Sequence, residues 1–139
     1  MVLTLHVREV DYSGKKPKIY FLGEIVVPEQ VIDFIFGTNR QTKAFIRSID
    51  KYSFLKHEQF IISKAPSGHG YLISTKNFQN TFLRRQINVL ITKFVSEQNL
   101  PQFKNIGISR GDLIVIKSKE TLKRKEYDGI EIIIQVVST

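Results

Sequence analysis

The sequence predicts an α+β domain: a mostly antiparallel, curved sheet or open β-barrel of about six strands, one long packed helix, and a short helical pair inserted between strands. Three observations carry that expectation. Period-two alternation marks both ends of the chain, an apolar stripe at helical spacing runs through residues 77–98, and Gly37-Thr38-Asn39 separates two short amphipathic stretches. With 139 residues and no linker rich in Gly, Ser or Pro, the chain reads as a single domain, 1–139.

Leu3, Leu5 and Val7 alternate with Thr4, His6 and Arg8, which places a half-buried strand at 2–9. Ser13-Gly14 and the lysines Lys15, Lys16 and Lys18 form a turn into a second strand, 19–27, so the two make a hairpin. Pro28 suits the first turn of a helix, where its missing N–H has no partner, and Val31, Phe34 and Ile35 follow at helical spacing until Gly37. Thr38 or Asn39 then caps a second helix to about residue 50. Strands at 58–63 and 70–75 flank a turn at 65–69 and form a second hairpin. The long helix is expected at 77–98, with Leu83, Ile87, Leu90, Ile91 and Phe94 on one face, and Pro101 lies beyond its end. Strands at 112–117 and 129–137 close the chain. Ile130, Ile132, Ile134 and Val136 share one face, so a one-residue slip would expose the row.

Apolar residues make up 42% of the chain, enough for a core without staples, and there is no cysteine to form a disulfide or a thiolate metal site. The start of the chain alternates as a strand does and carries no leader pattern, and no apolar run approaches the roughly 20 residues of a membrane helix. A cytoplasmic location without membrane contact is the expectation. The formal charge of +8 points to an anionic partner.

That charge is patterned. On one continuous helix Arg40, Lys43, Arg47 and Lys51 would fall within an arc of about 80°, with Phe45, Ile46 and Ile49 opposite. The stretch Glu29–Ile49, with Gly37-Thr38-Asn39-Arg40-Gln41-Thr42 at its turn, resembles a helix-turn-helix. The resemblance implies that Arg40 and Gln41 meet bases while Lys43, Arg47 and Lys51 meet phosphates, with Asn39 beside them in the same nucleic-acid-binding set. Asp33 and Lys43 depart from the pattern, each putting a charge where helices usually pack. Lys123, Arg124 and Lys125, with Lys119, form a basic loop that would add phosphate contacts if it converged on the helix. Phe78, Phe82, Arg85 and Val89 mark a second face of the long helix, expected to meet a protein partner or a second copy.

Catalytic patterns are absent from the sequence. His6, His57 and His69 form no ligand pair with a carboxylate, and no Asp or Glu is followed two residues later by Lys, as a nuclease strand would require. No metal and no cofactor is expected. The functional expectation is a non-enzymatic nucleic-acid-binding protein that prefers duplex DNA to RNA. The alternative is a protein-protein interaction or regulatory module, self-associating or not, with no nucleic-acid role.

Overall fold

Strands dominate the computed structural model, which describes residues 2–75, 80–89, 92–100, 105–118 and 129–138. In chain order they are β1 (Leu3–Asp11), β2 (Lys18–Val27), β3 (Asp33–Phe36), α1 (Arg40–Lys43), a 3-10 turn (Arg47–Lys51), β4 (Phe60–Lys64), β5 (Tyr71–Ser74), β6 (Thr81–Val89), β7 (Thr92–Asn99), β8 (Ile106–Ile108), β9 (Leu113–Lys117) and β10 (Ile130–Ser138). A six-stranded sheet runs β2-β1-β10-β9-β6-β7 and a four-stranded one β3-β4-β5-β8. Every pairing among these strands is antiparallel.

Alternation explains how the two sheets share a core. Leu3, Leu5 and Val7 of β1, Ile132, Ile134 and Val136 of β10, and Ile114 and Ile116 of β9 all turn inward. They meet Phe34 and Phe36 of β3, Phe60 and Ile62 of β4, and Tyr71 and Ile73 of β5 in one buried cluster. Phe36 and Phe60, partners across β3 and β4, stack with ring centroids 4.8 Å apart. Each such side chain adds about 1.5–3 kcal/mol by leaving water. The first and last strands are neighbours, with Leu5 opposite Val136 and Val7 opposite Ile134.

This two-sheet architecture overturns the expected α+β class. No long helix packs across the sheet: the expected helix at 77–98 is the β6–β7 hairpin, with Leu83 opposite Gln98 and Ile87 opposite Phe94. Thr81, Ile87, Val89, Thr92 and Val95 are β-branched, and their stiff side chains suit a strand better than a helix. Their apolar neighbours also recur at helical spacing, and no Gly or Pro announces the turn, so spacing alone misleads. The expected short helical pair also fails. Phe34 and Phe36 alternate inward as strand β3, and helix among the described residues is confined to the single turn of α1 and the 3-10 turn. No helix among the described residues is long and apolar enough to cross a membrane.

Gly37, expected as a helix end, is a point of close approach. A Cβ there would lie 2.2 Å from the His57 carbonyl oxygen and 2.5 Å from that of Lys56, both backbone atoms that cannot swing away. The neighbouring chain is tied there by the Thr38 amide, which donates to the Lys56 carbonyl at 3.0 Å. Gly37→Ala should therefore cost about 3 kcal/mol in urea unfolding, whereas Gly14→Ala, which would meet only ordinary van der Waals contact, should stay within about 0.5 kcal/mol.

Candidate interaction surface at the loop end

Strands β1, β3, β5 and β9 finish, and β2, β4, β6 and β10 begin, at one end of the sandwich. Gln59 ties that end together. It is fully buried, its amide group donates to Asn80 Oδ1 and Thr81 Oγ1, each at 2.8 Å, and its Oε1 accepts the Lys56 amide at 2.9 Å. Its own amide reaches the Phe36 carbonyl at 2.8 Å, and its carbonyl accepts the Thr75 hydroxyl at 2.5 Å. Asn80 extends the knot to the Phe54 and Lys117 carbonyls at 3.3 and 3.4 Å. A buried amide is tolerated because its polar atoms are matched.

The knot holds residues 52–56 against the sheet ends, and beside them lies a cavity of about 360 Å³. Asp11, Ser13, Lys51, Tyr52, Ser53, Phe54, Ser118, Gly129 and Ile130 line it. Tyr52 is buried, and its hydroxyl donates to Glu9. Burial first, then the Glu9 carboxylate, push its phenol above the usual tyrosine range. The Lys51 ammonium sits 5.1 Å from the centre of the Tyr52 ring. Asp11 accepts from the amide of Ser13 at 2.9 Å and from its hydroxyl at 2.6 Å. These bonds hold its carboxyl below the ordinary range.

Of the expected basic stripe only part survives. Helix α1 ends at Lys43, Ile46 is extended, and the 3-10 turn starts at Arg47, so Arg40, Lys43, Arg47 and Lys51 form no continuous helix face. Ile46 and Ile49 are buried as expected, but Phe45 is exposed. Asn39 and Gln41 are structural. Asn39 caps α1 by accepting from the Thr42 amide and donates to the Ile35 and His57 carbonyls, while Gln41 accepts from Ile35 and donates to the Asp33 carbonyl. Lys43 pairs with Asp50 at 3.2 Å, and Arg40, Arg47 and Lys51 are exposed. The duplex-DNA reader is thereby overturned, because its recognition helix does not form.

Convergence with the basic loops is partial. The cavity sets Lys51 beside Asp11 and Ser13, at the root of the turn that carries Lys15, Lys16 and Lys18, and beside Ser118 and Gly129, where the last loop leaves and returns. Lys119, Lys123, Arg124 and Lys125 themselves lie outside the described residues, as does Phe78. The expected partner face is not a helix face. Val89 falls on β6. Arg85 makes two bonds to Asp112, at 2.9 and 2.7 Å, and one to the Gly107 carbonyl. Phe82 lies under Lys117, whose ammonium is 4.6 Å from the ring centre.

Sequence reading missed Gln59 and Tyr52. Gln59 finds its partners 21 and 22 residues away, and nothing local marks it. It also missed an ionic chain along the outside of the large sheet: Tyr12 donates to Glu131 at 3.1 Å, Arg84 reaches Glu131 and Glu97, and Lys117 pairs with Glu97. Burial and the Glu131 carboxylate push the Tyr12 phenol up to about 12. Burial would raise the Glu97 carboxyl, but the bonds from Lys117 and Arg84 outweigh it and hold the group below its usual range. Among the described residues no cluster of His, Asp and Glu could hold a metal.

No family model matches the chain, and no curated protein matches it significantly. Among solved structures it is similar to an engineered FHA domain with a Myc-pTBD peptide, at 15% identity and a TM-score of 0.48 over 95% of this chain and 91% of that one. It is also similar to the N-terminal FHA domain of S. cerevisiae Rad53p in complex with a phosphothreonine peptide, at 18% identity and a TM-score of 0.46 over 94% and 93%.

Two outcomes follow from the site's bonding. Gln59→Leu should cost at least about 3 kcal/mol in denaturant unfolding, because Lys56, Asn80 and Thr81 would each lose a partner inside the protein. The Glu97 carboxyl lies lower in the folded state than in the unfolded one, so its contribution is complete at neutral pH and is lost as pH falls below the ordinary carboxylate value of 4.5 through the depressed folded value. The stability gap between the native chain and Glu97→Gln should accordingly narrow on acidification, measured by urea unfolding at a series of pH values.

Proposed function

We propose that the chain is a protein-interaction module that takes a segment of a partner protein at its loop end, by binding and not by chemistry. The observation behind this reading is the cavity of about 360 Å³ framed by four separate segments, with Tyr52 and Phe54 among its lining residues and Lys51 among its polar ones. A recess of that size, apolar with a few convergent polar atoms, suits one or two side chains of a peptide. Ser13 occupies one oxygen of the Asp11 carboxylate and the Lys18 charge acts on it, while Lys51 is the cation of the lining.

The sign of the charge defines the segment. Lys51 and the exposed Lys15, Lys16 and Lys18 of the adjoining turn favour a peptide carrying carboxylates or a phosphate, the anion that makes the strongest charge-assisted hydrogen bonds to lysine. A rigid two-sheet scaffold supports this use, since loops fixed at their roots lose little freedom when a ligand arrives.

The test is fluorescence anisotropy with matched peptides in neutral, glutamate and phosphorylated forms. The charged forms should bind more tightly, and Lys51→Glu should weaken them about tenfold, while Arg40→Glu, outside the cavity lining, should change little. Equal binding of neutral and charged peptides, or no peptide binding at all, overturns the proposal.

A further inference from the structure

A sandwich built from two open sheets has strand edges to protect, and the protection here is uneven. The edge of β3 is covered by side chains: Gln41 accepts the Ile35 amide at 3.0 Å and donates to the Asp33 carbonyl, and Asn39 and Thr42 donate to the Ile35 carbonyl at 3.1 and 3.3 Å. On β8, Arg85 donates to the Gly107 carbonyl at 2.9 Å. In the larger sheet the margins are β2 and β7, and among the described residues β2 pairs with β1 alone. Over Lys18–Phe21 none of its residues is covered: Ile19 is 64% exposed, Tyr20 47% and Phe21 60%. No described side chain bonds to the backbone of these four residues.

We propose that the Lys18–Phe21 edge of β2 is a strand-addition site for an extended peptide segment that carries acidic residues at its C-terminal end. An open edge supplies a row of backbone donors and acceptors, and adjacent apolar side chains supply contact area. Charge selects the occupant. Lys15, Lys16 and Lys18 stand exposed at the start of this strand, and none of them is in an ion pair with a described residue. A segment added antiparallel to β2, the commoner orientation, brings its C-terminal end opposite that start. Carboxylates there would face the lysines while apolar residues before them would meet Ile19 and Phe21.

A second copy of this chain fits the edge less well. Leu22 has no partner on β1, because Phe21 stands opposite Arg8 and Gly23 opposite Val7, so the strand is bulged just beyond the open stretch. A bulge twists the edge and interrupts a long ladder, which limits pairing to a short segment. Two copies would also bring two sets of the same lysines together, with Glu24, already bonded to His6 at 2.7 Å, as the acid on the strand.

The experiment uses the full chain and a synthetic peptide of alternating valine and threonine ending in aspartates. Isothermal titration should show binding, with hydrogen-exchange protection appearing at residues 18–21. The same peptide with alternate backbone nitrogens methylated should lose binding about tenfold or more, because it cannot complete the ladder. Lys18→Glu, at an exposed position, should weaken the native peptide while leaving thermal unfolding unchanged. Lys51→Glu should leave this binding intact, so failure here and failure of the loop-end reading are separable. Equal binding of the methylated peptide overturns the proposal, as does equal binding of a peptide with its aspartates at the other end. A concentration-dependent dimer abolished by Phe21→Lys would assign the edge to a second copy and overturn it too; if that variant fails to fold, the methylated peptide decides without it.

Discussion

The loop end of this protein depends on a single buried amide. Gln59 accepts one backbone proton and donates two, and its own backbone closes two more bonds, so five groups from four segments meet at one residue. In a buried setting such bonds are strong, and any one left unmade is costly, which makes the arrangement all-or-none. The position of residues 52–56, and hence the shape of the cavity beside Tyr52 and Phe54, follows from it. The same connection between β3 and β4 is held further by the bonds from Thr38 to Lys56, Asn39 to His57 and Tyr52 to Glu9.

The second constraint is closure at the sides. The chain spends polar side chains on covering edges: Asn39, Gln41 and Thr42 on β3, and Arg85 on β8. Gly37 allows the backbone to pass within contact of His57, which lets the α1 segment lie close along β3, and Ile46 packs against Gly23 of β2. Residues that look available for a ligand are thereby consumed in holding the fold. The cations that remain exposed include Arg40, Arg47, Lys51 and the lysines of the first turn, none in an ion pair with a described residue.

How far the site was legible follows from the same distinction. The four-residue Asn39-Arg40-Gln41-Thr42 stretch carries a correct cap at Asn39, because capping is local and depends on the next three residues. The basic stripe was a property of an assumed continuous helix, and it vanished when the chain turned extended at Ile46. Phe82 and Arg85 were grouped by helical spacing, yet on a strand three residues place them on opposite faces, where one meets Lys117 and the other Asp112. Gln59, Asn80 and the ionic chain from Tyr12 to Lys117 left no trace, since each joins positions distant in the chain.

By itself the sequence determined the strands β1 and β10 from their alternation and β2, β4, β5 and β9 from short apolar runs bounded by turn residues, together with the hairpins β1–β2 and β4–β5. Those are local matters of side-chain period and turn chemistry. Only the tertiary structure decided that 77–98 is a hairpin, that Phe34 and Phe36 face a second sheet, and that Lys51 stands at a cavity beside the first turn. A segment that suits two periods takes the one its neighbours complete, and here β9 offered β6 a ladder that no helix could have used.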